Sequence, residues 1–227
     1  MGLLRLFKGG ETEQRISPAG ATVIALELDQ FIARGYGRMT RVGSFSTPIT
    51  GGGAGTIIDI DQPEFCLAVP PQYVAIPLRI SVQCQAPLLA ADNDEMEILI
   101  MSDRAVNWPL DGTFTGEATV ANRAQNMRTD IYPGSACRLG SAFTANMTKD
   151  GTSVPTGDVE LARAVKVADV QTAVGVMWTS LELVYEPKHP LCLVGPSNLY
   201  IYWGGTVAVT GFAQIAWIEG HKNEIFL

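Results

Sequence analysis

Between Tyr73 and Gln85 the chain alternates without a break. Val74, Ile76, Leu78, Ile80, Val82 and Cys84 fall on one parity, and Tyr73, Ala75, Pro77, Arg79, Ser81, Gln83 and Gln85 on the other. Successive side chains of a strand point to opposite faces, so a period of two specifies one long β-strand with a buried face and a solvated face. A chain that contains such a strand has to build a sheet and find something to pack on its apolar side. Residues 56–60 and 64–69 precede it with strand character and 95–102 follow, punctuated by Pro70-Pro71 and the turn Ala91-Asp92-Asn93-Asp94.

Order of the same kind returns near the C-terminus. Leu181, Leu183 and Tyr185 alternate with Glu182 and Glu186, and Leu199, Ile201 and Trp203 form a further strand after the loop 190–196. Gly204-Gly205 is expected to close a hairpin into Val207, Val209, Gly211, Ala213, Ile215 and Trp217, which face opposite to Thr206, Thr210 and Gln214. Between residues 103 and 176 the period is lost in favour of Gly, Thr, Ser and Asn, a stretch too long for an idle loop, with a short helix expected at 162–170. Residues 21–34 fit either a helical face (Ile24, Leu28, Phe31, Ile32) or a strand, and strand is preferred up to Asp29.

These patterns amount to seven to nine strands without βαβ alternation. The expected fold is all-β: an antiparallel β-sandwich, jelly-roll-like, with an extended N-terminal arm at 1–20 and long loops. Residues 21–227 form a single β-sandwich domain with an elaborated loop region at about 103–176. In the arm, Leu3, Leu4, Leu6 and Phe7 are too apolar for an idle tail and are expected to dock on a neighbouring subunit. Ile225-Phe226-Leu227 is a second apolar end that needs a partner.

Composition narrows the function. The 16 Lys and Arg against 23 Asp and Glu give a net charge of −7. The excess is confined to residues 51–227, because the first fifty residues carry six basic and four acidic side chains. An acidic body lacks the clustered cations that neutralise phosphates, which argues against direct, sequence-specific or non-specific grip on nucleic acid. No run approaches the length of a membrane helix, and nothing resembles a signal peptide. Cys66, Cys84, Cys137 and Cys192 lie far apart without a CxxC pair and are expected as buried free thiols, with metal ligation or disulfides a minority alternative. A reducing cytoplasm is the expected folding compartment.

Chemistry-bearing constellations are weak throughout. The glycine run 51–55 would need a following helix and a nearby Lys to cradle phosphate, and it is followed by strand-like residues instead. His189 and His221 are the only histidines, and no GxSxG or HExxH accompanies them. Asp92-Asn93-Asp94-Glu95 offers oxygen ligands in a turn, and Asp59 with Asp61 a weaker pair; a solvated turn is the favoured reading of both over Ca²⁺. Trp203 and Trp217 sit on apolar parities and read as core, whereas Trp108, beside Pro109, is the candidate for an exposed sugar-stacking ring. No catalytic, cofactor-binding or metal residue is assigned.

The terminal strands Leu199-Tyr-Ile-Tyr-Trp203 and Thr206-Val-Ala-Val-Thr-Gly-Phe-Ala-Gln-Ile-Ala-Trp-Ile-Glu219, with the short arm and the Gly/Thr/Asn-rich midsection, resemble bacteriophage virion structural proteins of the jelly-roll capsid or capsid-decoration type. The resemblance implies a non-enzymatic virion subunit, folded in the host cytoplasm. It also implies a homo-oligomer (trimer or pentamer) that binds copies of itself and other virion proteins through its arm and loops, with no membrane partner. A receptor- or carbohydrate-binding module of a virion tail or tip is the alternative. A β-sandwich hydrolase, built on a His–carboxylate pair, is the third.

Overall fold

The alternation that begins at Tyr73 becomes the longest strand of the protein. Its surroundings come from a computed structural model that describes residues 14–16, 22–24, 28–51, 58–89, 93–104, 124–130, 134–144, 146–149, 152–153, 159–168 and 177–225. Among the described residues, strands β1 (Gln14–Ile16) and β2 (Thr22–Ile24) pair only with each other and precede the short helix α1 (Leu28–Ala33). Then come β3 (Gly37–Val42), β4 (Ile49–Thr50), β5 (Phe65–Val69), β6 (Tyr73–Leu88) and β7 (Glu95–Arg104). Four short strands follow: β8 (Gln125–Asn126), β9 (Arg138–Ser141), β10 (Thr148–Lys149) and β11 (Thr152–Ser153). The chain ends with β12 (Val159–Val167), β13 (Met177–Tyr185), β14 (Leu193–Val194), β15 (Ser197–Gly205), β16 (Thr210–His221) and helix α2 (Lys222–Ile225).

Two antiparallel sheets pack as a sandwich. One runs β12-β7-β15-β5-β9; the other runs β13-β6-β16-β3-β8, with β14 beside β6 and β4 beside β16. Their inner faces meet in one core, to which the first contributes Phe65, Ile98, Ile201 and Trp203 and the second Val42, Ile80, Val82, Ile215 and Trp217. The pairing has a simple logic. Counting β3, β5, β6, β7, β12, β13, β15 and β16 as strands one to eight, the antiparallel pairs are one with eight, two with seven, three with six and four with five. Those are the pairings of one long hairpin. Wrapping that hairpin adds the contacts of eight with three and seven with four.

The sheets differ in what lies outside them. On the seven-stranded sheet, Gln83, Gln85 and Gln214 face solvent, so its strands alternate clearly. The five-stranded sheet is covered on its outer face as well. There Cys66, Ala68, Leu99, Met101, Tyr200 and Tyr202 pack under Phe143, Met147 and Ile58. The cover is stitched down by Ala142 N–H to Glu64 O at 3.0 Å, Met147 N–H to Asp61 O at 2.6 Å and Tyr202 O–H to Ile60 O at 2.9 Å.

Several expectations need correction. The even-parity rule for β6 holds from Ile80 to Leu88 but reverses before it, where Ala75 faces the core. The pairing with β16 slips between Arg79 and Pro77, leaving Leu78 as an extra residue. Proline has no N–H to give the ladder, and a bulge beside it re-aims the strand. The expected hairpin at Gly204-Gly205 is a corner between sheets: β15 pairs with β5 and β7, and β16 with β6, β3 and β4. Thr206 holds that corner, its N–H donating to Glu95 O and its hydroxyl to Asp94. A Cβ on Gly205 would stand 2.4 Å from Glu95 O, so glycine is required by the close approach.

Of residues 162–170, expected as a helix, 162–167 instead belong to β12, whose ladder with β7 overrides the helix preference of its alanines, and 169–170 lie outside the described residues. The strand preferred up to Asp29 ends at Ile24 within the described residues, and Leu28 begins a helix. The spacing of Leu28, Phe31 and Ile32 prevails there, and Gly35 at φ 87° closes the helix end. Of the strand expected at 56–60, residues 56 and 57 lie outside the described residues. The rest is a turn, in which Asp59 Oδ1 accepts Asp61 N–H at 3.0 Å.

Candidate functional site

Most polar candidates raised by the sequence are spent on structure. Asp94 is buried and accepts Leu89 N–H at 2.8 Å and the Thr206 hydroxyl at 2.9 Å, so it caps a corner and does not face a cation. Asp92 lies outside the described residues. The Asp61 carboxylate meets Asn146 Nδ2 at 3.4 Å within the cover of the five-stranded sheet. Among the described residues, no group of three or more His, Cys, Asp and Glu is placed to hold a metal. No helix among them is long and apolar enough to cross a membrane. His189 is exposed. His221 stands edge-on to Tyr73 at 5.6 Å, and its Nδ1 accepts Asn223 N–H at 3.3 Å. In the glycine run, Gly51 donates to Val209 O at 2.8 Å, and an added Cβ would overlap Trp203 O at 2.0 Å. Its neighbours 52–55, like Trp108 and the apolar residues of the arm, lie outside the described residues.

The structure gathers a constellation that no short sequence motif marks. Glu219, 3% exposed, extends the inward parity of Ile215 and Trp217 at the end of β16. Its Oε2 accepts the Ser135 hydroxyl at 2.5 Å and Trp217 Nε1–H at 2.8 Å; its Oε1 accepts Ala136 N–H at 2.9 Å and faces Arg38 Nε at 3.3 Å. Arg38 also donates to the carbonyls of Gly134, Gly35 and Gly37. The buried carboxylate and its cation thus fasten residues 134–137, part of the long connection between β7 and β12, to the sandwich. The sequence signal was present: an acid on the apolar parity of a strand is a buried charge, and a buried charge needs partners.

That connection also protects an edge. Its strands β8 and β9 pair with β3 and β5, the last long strands on one side of the two sheets. On the opposite side lie β12 and β13, each nine residues long, and neither pairs outward among the described residues. β13 carries no Pro, Lys or Arg to discourage pairing. Val165 and Val167 on β12 and Trp178 and Val184 on β13 are the large exposed apolar side chains there, Trp178 at 69%. β12 carries Arg163 and Lys166, so β13 is the less protected half of this long, partly apolar border, which is the candidate interaction surface.

Burial sorts the four cysteines. Cys66, Cys84 and Cys137 are buried free thiols, as expected, while Cys192 is exposed, because the loop before β14 turns it outward. Burial pushes the Cys84 thiol up to about 12 and raises Cys137 strongly, the latter with the Glu219 carboxylate adding to it. A thiol held protonated is a poor nucleophile. Partial burial raises the Cys192 thiol as well, but its exposure lets a disulfide-exchange reagent reach it. Cys192 is therefore expected to be modified in the native protein and the other three only on unfolding. Mass spectrometry of the labelled peptides checks this, and fast native labelling of Cys84 or Cys137 would contradict the burial.

No family model, curated protein or solved structure matches the chain.

Proposed function

We propose that the protein is a non-enzymatic structural subunit of a virion, a jelly-roll capsid or capsid-decoration protein that assembles as a homo-oligomer. The observation that carries this reading is the connectivity: eight principal strands paired as one long hairpin and wrapped into two sheets, which supports a jelly roll of the kind found in viral capsid domains. Jelly rolls also serve lectins and cupins, so the fold alone supports several functions. The border of β12 and β13 favours assembly, since neither edge is paired among the described residues and β13, with its exposed tryptophan, carries no Pro, Lys or Arg. The apolar arm, Leu3 to Phe7, supplies a second contact to a neighbour.

Light scattering on the purified protein, followed by negative-stain imaging of the same peak, tests the reading. A closed trimer, pentamer or shell-like particle is expected. Substituting Val165 and Trp178 with Lys is expected to lower the mass toward the monomer without loss of the fold. Deleting residues 1–16 is expected to weaken assembly and leave the sandwich intact. A monomer at every concentration would overturn the homo-oligomer reading.

A further inference from the structure

The solvated face of the seven-stranded sheet carries a groove of about 240 Å³ that the assembly reading does not use. Its floor is two rows across three strands: Ser180, Gln85 and Thr210 in one, Glu182, Gln83 and Phe212 in the next. Three adjacent strands span roughly 10 Å. The side chains of Gln85, Ser180 and Thr210 are engaged with no other described group, and Gln83 Nε2 donates to Glu182 Oε1 at 3.3 Å, which orients both. Hydroxyls, primary amides and one carboxylate therefore face outward together.

One wall is a displayed aromatic. Phe45, 83% exposed, sits on the turn between β3 and β4. The turn is rigid: Ser44 and Thr47 exchange backbone hydrogen bonds at 3.1 Å, their hydroxyls meet at 2.7 Å, and Gly43 enters at φ 67°. Pairing of β4 with β16 fixes the turn beside the floor. A phenyl ring held in water on so well-bonded a support forgoes the burial that stabilises others and suits a surface meant to be covered.

The chemistry of the lining selects the ligand. Glu182 is its only charged side chain, so phosphate, sulfate and nucleic acid find no cation. Of the three floor strands β6 and β16 are interior, and a peptide added to the edge of β13 would extend the sheet sideways and leave the groove on its face unfilled. What remains is a neutral ligand with many hydroxyls and one apolar face. Amides both donate and accept, a carboxylate accepts, and an aromatic wall stacks on ring C–H groups. We propose that this groove binds a neutral saccharide of one or two units, with Phe45 as the stacking wall and Gln83, Gln85, Ser180 and Glu182 reading its hydroxyls. The volume lies below that of sites for drug-sized ligands, which suits so small a unit. The inference rests on the groove and not on the virion reading, although Ser180 and Glu182 share the outer face of β13 with Trp178 and Val184.

The test is saturation-transfer NMR and calorimetry on the full chain with glucose, galactose, mannose, N-acetylglucosamine, maltose and lactose at millimolar concentrations. At least one is expected to bind saturably. Phe45→Ala and Gln85→Ala, both at exposed positions, are expected to weaken that binding at least tenfold with unchanged melting temperatures. Absence of saturable binding across the panel would overturn the proposal, as would binding unaltered in both variants.

Discussion

Glu219→Ala is expected to destabilise the protein by about 3–5 kcal/mol, the cost of removing one partner from a buried ion pair. The substitution strands Arg38, whose side chain is 17% exposed, and leaves the Trp217 indole N–H, the Ser135 hydroxyl and the Ala136 amide without their shared acceptor. At about 2–4 °C per kcal/mol for a chain of this size, the melting temperature should fall by roughly 6–20 °C. The loss should also have a local signature. Amide exchange at Ala136 should accelerate more than exchange along β7 or β15, because residues 134–137 lose their fastening while the core strands keep their ladders. Glu219→Gln preserves shape and one acceptor and should lose less. A change below about 1 kcal/mol in Glu219→Ala would show that this network is not what holds the connection, since ordinary surface substitutions fall within about 0.5 kcal/mol.

Trp203→Ala is expected to cost about 3–5 kcal/mol, as large-to-small substitutions of buried aromatics do. Trp203 is 1% exposed, and a Cβ added at Gly51 or at Gly211 would stand 3.1 Å from its indole ring. Its indole N–H donates to Ile49 O at 3.1 Å, tying the groove-bearing turn to the core. Trp203→Phe fills part of the space and loses only the hydrogen bond and the remaining volume, so it should fall between the two. Urea unfolding midpoints at constant m-value measure both. Equal midpoints for Trp203→Ala and the native chain would place that indole outside the core.

The sheet with one wet face was the legible one. In β6, β13 and β16 the polar side chains of Gln83, Glu182 and Gln214 alternate with buried neighbours, so water itself wrote the period into the residues. β5, β7 and β15 carry weaker alternation because both of their faces are buried. Tyr200 and Tyr202 look solvated on parity, yet they lie under Phe143 and Met147, about sixty residues earlier in the chain. Nothing local announces such a cover. The groove was hidden for the same reason: Phe45, Gln85 and Ser180 come from three separate segments that meet only through strand register. Glu219 was the exception, since its parity alone marked it as buried.

By itself the sequence determined that the chain is built of antiparallel strands with an apolar side, that Trp203 and Trp217 are core, and that Pro70-Pro71 turns the chain. These follow from local period and backbone restriction, which act over a few residues. The tertiary structure decided which strands share a sheet, that Gly204-Gly205 is a corner and no hairpin, and which edges are covered. A tight turn can return the chain to its neighbour or carry it across the core with the same residues. Only the competition among distant strands for each edge, settled by the wrapped hairpin, distinguishes the two.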